Sequence, residues 1–175
     1  MRNPRGQWQL IGALLAFLSL ASSASNDELN SPRAPGFELP VIANGSGQYS
    51  LESSLGRVTY LDYWASWCGP CRISLPALNE IYQELRDQGL DILAVSVDVV
   101  EEDALDFLKK YPVNYPVLLD SKGDIAKAYG VNGMPSGYLI DQNGVIRDVH
   151  IGFRRGDETK IRQRIMEILT TEPSS

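Results

Sequence analysis

The chain has 175 residues, of which 43% are hydrophobic, and carries 16 basic and 22 acidic side chains for a net charge of −6. This length suffices for one domain with a substantial core, and the sequence contains no internal repeat or second domain. The acidic balance excludes nucleic-acid binding through phosphate neutralisation, and no Walker or dinucleotide-binding glycine pattern is present.

Residues 1–24 are predicted to be an export signal. Arg2 and Arg5 give a positive start, an apolar run of 11 residues follows at Leu10–Leu20, and small side chains favour cleavage after Ala24. The alternative is an uncleaved membrane anchor, although a bilayer span needs about 20 apolar residues. No cysteine lies near this segment, which excludes a lipid-modified cysteine. Cleavage would remove two of the 16 basic residues and none of the 22 acidic ones, which leaves a net charge of −8.

A short tether is predicted at residues 25–33, followed by one folded domain at residues 34–171. Phe37–Ala43 is predicted to form a strand, and a turn at residues 44–47 separates it from Gln48–Leu55. The domain therefore opens with a strand and a tight turn.

The next segment predicts a strand, a helix and a second strand. Arg57–Tyr63 is rich in β-branched and aromatic residues, which favours a central strand. Apolar residues then recur at steps of three and four, which predicts a helix that ends near Gly89. Its inward-facing residues are Cys71, Leu75, Leu78, Tyr82 and Leu85. Leu90–Val97 is almost continuously apolar, as is typical of a strand covered on both faces.

The second half predicts further alternation. A helix is predicted over Glu101–Lys110, a short strand over Val117–Leu119 and a short helix over Ile125–Tyr129. Gly137–Ile140 and Val145–Ile151 flank the sequence DQNG, which indicates a hairpin.

The last predicted element is a helix over Asp157–Thr170, with isoleucines on its inner face. Strands alternate with helices along the chain, and the final two strands are antiparallel. The pattern predicts an α/β domain with a mixed central sheet flanked by helices.

The only two cysteines, Cys68 and Cys71, lie in the sequence Trp67-Cys68-Gly69-Pro70-Cys71, between a predicted strand and a predicted helix. Two thiols at this spacing can close a small ring. A helix beginning at Cys68 would place that thiol in electropositive surroundings, where it ionises easily. We interpret the pair as a redox site that exchanges electrons with disulfides of other proteins.

A zinc site and an inert disulfide are the two other interpretations of the cysteine pair. A zinc site would need more soft ligands, but there is no third cysteine and His150 is the only histidine, so no metal and no other cofactor is expected. An inert disulfide would gain little stability from closing so short a loop. In an oxidising compartment the pair would stay oxidised unless electrons were supplied, so a reductant implies a membrane-borne donor.

Three separated features carry a family resemblance: the WCGPC motif between strand and helix, Pro76 five residues after Cys71, and Gly133-Met134-Pro135 just before the hairpin. Together they resemble the thioredoxin superfamily, in particular the exported TlpA-like thiol–disulfide oxidoreductases. Ala34–Ile42 resembles the family's N-terminal opening hairpin, and Val99–Asp120 its central helix–strand insertion. The resemblance covers about residues 34–170 and implies a thioredoxin fold.

The resemblance implies roles for the motif residues. Cys68 would be the nucleophile that forms a mixed disulfide with the substrate, and Cys71 the thiol that resolves it. Gly69 and Pro70 would set the reduction potential, and a Gly-Pro pair resembles reducing thioredoxins more than strong oxidases.

The same resemblance identifies Asp62, six residues before Cys68, as a buried acid that helps to deprotonate the resolving thiol. Many TlpA-like proteins instead carry a glutamate three residues after the second cysteine, where this chain has Ser74. Strand alternation alone would also allow an exposed aspartate at position 62.

Substrate-binding residues are also implied. The peptide bond before Pro135 is expected to be cis, with Met134 and its backbone opposite the cysteines, where a substrate strand could pair. Trp67 would offer an apolar landing surface, whereas Trp64 is expected in the core. His150 is expected to be structural or exposed.

The predicted function is that of an exported, periplasmic protein-disulfide reductase, a monomer without a cofactor, with cytochrome c maturation as one plausible duty. Three alternatives stay open. They are a disulfide oxidase or isomerase of the same fold, a thiol peroxidase, and a non-catalytic binding or chaperone module. The peroxidase motif has a threonine a few residues before its cysteine, which Ser66-Trp67-Cys68 does not match.

Overall fold

A computed structural model describes residues 31–170 of the chain. The predicted export signal and most of the predicted tether lie outside the described residues. The strands are β1 Glu38–Ala43, β2 Gln48–Ser50, β3 Val58–Trp64, β4 Leu90–Ser96, β5 Val117–Leu119, β6 Ser136–Ile140 and β7 Ile146–Ile151. The α-helices are α1 Cys71–Leu85, α2 Glu101–Lys110, α3 Asp124–Ala128 and α4 Asp157–Leu169.

Within the described residues, the strands form one sheet in the order β2-β1-β5-β4-β3-β6-β7. β4 pairs in parallel with β3 and β5, whereas β6 pairs antiparallel with β3 and β7. Buried side chains of α1, α2 and α4 pack in one apolar cluster and those of α3 in another. The predicted mixed sheet flanked by helices is confirmed.

All seven residues of β3 are buried. Its side chains alternate between the two clusters because successive residues of a strand point to opposite faces. Tyr60 and Trp64 pack in the cluster that contains the inner face of α1, whereas Leu61 and Tyr63 pack in the cluster of α3. Asp62 shares the face of Tyr60 and Trp64, and it therefore lies on the α1 side of the sheet.

The inserted segment Val99–Asp120 contributes α2 and β5. Because β5 lies between β4 and β1, the hairpin of β1 and β2 pairs with the rest of the sheet through β5. The buried Tyr115 hydroxyl donates a hydrogen bond to the Leu75 carbonyl of α1 at 3.1 Å. The insertion is thus attached to both the sheet and the helix that begins at the second cysteine.

The start of α1 differs from the prediction. The helix was expected to begin at Cys68, but it begins at Cys71 and ends at Leu85. A proline disfavours helical backbone in the residue before it, which accounts for the later start after Pro70. A short 3₁₀ turn then leads to Gly89, whose φ of 105° places it in the left-handed region that glycine tolerates.

Only the first three residues of the segment Gln48–Leu55 form a strand. β2 ends at Ser50, and a 3₁₀ helix follows at Leu51–Ser54. Leu51 is buried there, and its N–H donates to the Phe37 carbonyl at 3.2 Å. The chain therefore leaves the hairpin at Leu51, whose side chain is buried.

Two residues of the predicted tether pair with the domain. The Ile146 N–H donates to the Pro32 carbonyl at 3.0 Å, and the Arg33 guanidinium donates to the Asn143 carbonyl at 3.1 Å. The free edge of the β6–β7 hairpin offers these backbone groups. The folded part therefore begins slightly before residue 34.

Candidate active site

The two cysteines form a disulfide at the start of α1, with their Cα atoms 5.3 Å apart. Cys68 is 4% exposed, whereas Cys71 is fully buried. Cys68 is therefore the more accessible of the two residues to an incoming sulfur. This is the asymmetry that a nucleophilic and a resolving cysteine require.

The late start of α1 keeps the electropositive surroundings that were expected at Cys68. The Cys71 N–H donates to the Cys68 sulfur at 3.3 Å. The first N–H groups of a helix lack intrahelical partners, and the helix dipole adds partial positive charge at the same end. Both effects favour a thiolate on Cys68 when the disulfide is reduced.

Asp62 is buried beneath this helix, with 1% of its surface exposed. Burial raises the pKa of its carboxyl well above the ordinary value, because desolvation disfavours the charged form. Its Oδ2 atom has no hydrogen-bond partner among the described residues. A carboxyl of this kind keeps its proton more readily than an exposed one, and its carboxylate is a stronger base.

Ser74 is another buried polar residue without a hydrogen-bond partner for its side chain among residues 31–170. It lies one turn after Cys71 on the inner face of α1 and is fully buried. The position where many TlpA-like proteins carry a glutamate is thus occupied by a small hydroxyl that faces the sheet, and Asp62 stands on the strand side.

The two tryptophans near the motif differ as the sequence predicted. Trp67 is 68% exposed, next to the accessible cysteine. Trp64 is fully buried and packs on Phe107, with 5.0 Å between ring centroids. Trp67 can therefore contact a partner, whereas Trp64 stabilises the core.

The loop before β6 lies next to the end of β3 that leads to the cysteine motif, because Ser136 pairs with Tyr63. Its Met134–Pro135 peptide bond is cis, as predicted. Met134 is half-buried and packs against the apolar cluster that contains both cysteines. The Gly152 N–H donates to the Pro135 carbonyl at 2.8 Å, which fixes this loop to the end of β7.

Comparison with known proteins identifies the family. Residues 31–149 match the family model described as AhpC/TSA. The chain belongs to the AhpC/TSA family.

Similar proteins carry names that refer to thiol–disulfide oxidoreductases or to thioredoxin. The chain is 33% identical over 129 residues to the thiol-disulfide oxidoreductase ResA of Bacillus thuringiensis subsp. konkukian (strain 97-27), covering 73% of this chain and 70% of the relative. It is 35% identical over 123 residues to the thioredoxin-like protein YneN of Bacillus subtilis (strain 168), covering 69% of this chain and 70% of the relative.

A solved structure shows the same fold. The crystal structure described as a thiol:disulfide interchange protein DsbE from Chlorobium tepidum matches with a TM-score of 0.76 and 40% identity, covering 79% of this chain and 96% of that one. This AhpC/TSA family member is therefore a thiol–disulfide oxidoreductase of the thioredoxin fold. The predicted fold and the predicted family resemblance are confirmed.

The sequence analysis missed Asp98, which follows β4 and is 3% exposed. Its carboxylate accepts the Ser66 N–H at 2.9 Å, the Ser66 hydroxyl at 2.7 Å and the Ser96 hydroxyl at 2.8 Å. The one available signal was the alternation Ser96-Val97-Asp98 at the end of an otherwise apolar strand. Its partner Ser66 lies 32 residues earlier, and a local pattern does not reveal such a pair.

The histidine has an acidic neighbour. His150 is on β7, and its Nε2 atom is 3.6 Å from the Asp157 carboxylate at the start of α4. Among residues 31–170, no group of three or more His, Cys, Asp or Glu side chains could hold a metal ion. No helix in this part of the chain is long and apolar enough to cross a membrane.

Proposed function

We propose that the protein is an exported protein-disulfide reductase that uses the Cys68–Cys71 dithiol. The observation that carries the proposal is the unequal access to the two sulfurs at the start of α1. Only Cys68 can meet a substrate, and the buried Cys71 can only react with Cys68. The Gly69-Pro70 pair, which resembles that of reducing thioredoxins, favours electron donation to the substrate.

The exchange runs in two steps. The Cys68 thiolate attacks one sulfur of the substrate disulfide, the substrate S–S bond breaks, and the second substrate sulfur leaves as a thiolate that takes a proton. The Cys71 thiolate then attacks the Cys68 sulfur, which releases the first substrate sulfur and closes the Cys68–Cys71 disulfide. Two electrons pass from the dithiol to the substrate.

Asp62 acts in the second step. Cys71 is buried among apolar side chains, where a thiol ionises reluctantly. The Asp62 carboxylate accepts its proton, and the raised pKa of Asp62 makes the carboxylate a stronger base than an exposed one. After the product has left, the proton can pass to solvent.

The working cycle needs a source of electrons. The predicted export signal at residues 1–24 would bring the domain to an oxidising compartment, the periplasm, where the pair is regenerated by a membrane-borne dithiol donor. Substrates there are protein disulfides, among them the haem-attachment cysteines of cytochromes c. The protein would act as a monomer, since one domain contains the whole dithiol site.

The reduction potential of the Cys68–Cys71 pair tests the direction. We expect equilibration of the domain with glutathione buffers to give a value near that of thioredoxin, about −270 mV. A value near about −120 mV, the range of a strong oxidase, would make the protein a donor of disulfides instead. Mass spectrometry of the exported protein would show whether the chain is cleaved after Ala24.

A further inference from the structure

Asp98 connects the two loops beside the disulfide. It follows β4, and its carboxylate accepts both the N–H and the hydroxyl of Ser66 in the loop that leads to Cys68. The Ser96 hydroxyl donates to the same carboxylate and also accepts the Asp98 N–H, at 3.1 Å. One buried side chain thus fixes the end of β4 to the loop before the nucleophile.

Each connected loop carries an exposed apolar side chain directly after its anchoring residue. Trp67 follows Ser66 and is 68% exposed, and Val99 follows Asp98 and is 80% exposed. Val100 adds a further side chain that is 48% exposed. Exposed apolar groups on loops that are joined to each other next to a reactive group indicate a contact surface.

A protein substrate must touch these loops. The Cys68 residue is only 4% exposed, so a substrate disulfide reaches it when the polypeptide around that disulfide lies on the surrounding surface. A small disulfide reagent needs access to the sulfur alone. The position of Trp67 relative to Val99 therefore matters for a protein substrate and much less for a small one.

We propose that Asp98 is a positioning residue that holds Trp67 and Val99 together as an apolar docking surface for the polypeptide beside the substrate disulfide. The partner it fits is a protein segment with apolar side chains next to its cysteine. The proposal rests on the proposed function to the extent that it concerns protein disulfides. It assigns to Asp98 no proton transfer and no contact with the reacting sulfurs.

The test compares two substrates for the reduced protein, insulin as a protein disulfide and 5,5′-dithiobis(2-nitrobenzoate) as a small one. In Asp98→Ala we expect the rate constant for insulin to fall by about tenfold or more, because the loops lose their common anchor. The rate constant for the small reagent should stay within about twofold. A purely structural defect would lower both rates together.

Two milder variants keep the proposal testable if Asp98→Ala folds poorly. Ser66→Ala removes one of the three bonds to the carboxylate, and Val99→Ser removes an apolar side chain while leaving the anchor intact. Both should lower the insulin rate selectively, by less than Asp98→Ala does.

The matched control is Asp141→Ala. Asp141 is another buried acid, 6% exposed, and accepts two backbone N–H groups at 2.9 Å in the β6–β7 turn. That turn follows Ile140, which pairs with Thr59 at the end of β3 far from the disulfide. This variant should leave the ratio of the insulin rate to the small-reagent rate unchanged.

Equal losses on both substrates in the folded Asp98 and Ser66 variants would overturn the proposal, and so would unchanged rates on both. Failure of the proposed function looks different. The reduced wild-type protein would then react with the small reagent without reducing insulin, and its disulfide form would oxidise reduced insulin chains. In that case the same ratio is measured in the oxidising direction, since the docking surface serves both directions.

Discussion

The region beneath the disulfide and the region beside it each contain a buried acid, and the two acids have opposite surroundings. Asp62 and Asp98 are 1% and 3% exposed. Asp62 has an oxygen without a hydrogen-bond partner among the described residues, and burial raises its pKa. Asp98 accepts three hydrogen bonds from two serines. Burial alone therefore does not assign a role to an acid.

The difference lies in the donors. A carboxylate that accepts several hydrogen bonds fixes the groups that donate to it. A buried carboxyl without such donors keeps its proton more readily and can exchange it. In this protein the first kind orders the surface that a substrate meets, and the second lies on the same side of the sheet as the thiol that must be deprotonated.

The largest expected effect concerns the cysteines. The comparison of the two acids depends on which cysteine attacks the substrate and which one resolves the mixed disulfide. Cys71→Ser should accumulate mixed disulfides with protein substrates, because the resolving thiol is absent. Cys68→Ser should form none, because Cys71 is fully buried. Gel shifts that are reversed by a reductant measure both. The reverse pattern would exchange the two roles and remove the reason for placing a base near Cys71.

Asp98→Ala should give the next largest effect, a loss of stability of about 2–4 kcal/mol, because three buried or half-buried donors lose their acceptor. Chemical denaturation of the oxidised domain measures this loss. Asp98→Asn keeps the shape and one acceptor oxygen, so it should lose less. A stable Asp98→Ala variant would contradict the view of Asp98 as an anchor.

Asp62→Asn should instead stabilise the oxidised domain, and by more at high pH. Burial raises the pKa of Asp62, so the folded protein holds a proton that the unfolded chain releases above about pH 4. The stability of the wild type therefore falls as the pH rises from about 4 towards the raised pKa of Asp62. The asparagine variant lacks this titrating group, so its stability does not fall for this reason. The gain in melting temperature should be roughly a few degrees at pH 8 and smaller at pH 4.5. A gain that shrinks as the pH rises would show that burial does not raise the pKa of Asp62 in the folded protein.

Ser74→Ala should have the smallest effect, a change within about 1 kcal/mol that does not vary with pH, because its buried hydroxyl has no hydrogen-bond partner among the described residues to lose. The same denaturation series measures it and serves as the control for Asp62→Asn. A large loss of stability would mean that Ser74 stabilises this region despite its unpartnered hydroxyl.

The sequence predicted more of the first region than of the second. The β3 and β4 strands are apolar runs, and the face of α1 follows a helical period, so local patterns found them. Asp62 was identified through a family resemblance based on the nearby cysteines. Its burial follows from the position of β3 inside the sheet, where both faces of the strand are covered. Its partnerless state depends on which side chains pack around it, and no local pattern contains that information.

Asp98 was missed because its hydrogen-bond partner Ser66 is far away in the sequence. Ser66 and Asp98 lie at the ends of two neighbouring parallel strands, 32 residues apart in the chain. Read locally, each is a polar residue after a strand, which is what most loops contain. The later start of α1 was missed for a related reason. The apolar period marks the inner face of a helix but not the residue at which the backbone becomes helical.

The measurement that tests the account most directly is the pH dependence of the resolving step in wild type and Asp62→Asn. A mixed disulfide between Cys68 and a small reporter thiol is formed, and release of the thiol is followed by stopped flow between pH 5 and 10. We expect release to be about tenfold to a hundredfold slower in the variant at pH 7. The two rates should converge at high pH, because Cys71 ionises there without a base. Superimposable profiles would contradict the assignment of Asp62 as the proton acceptor.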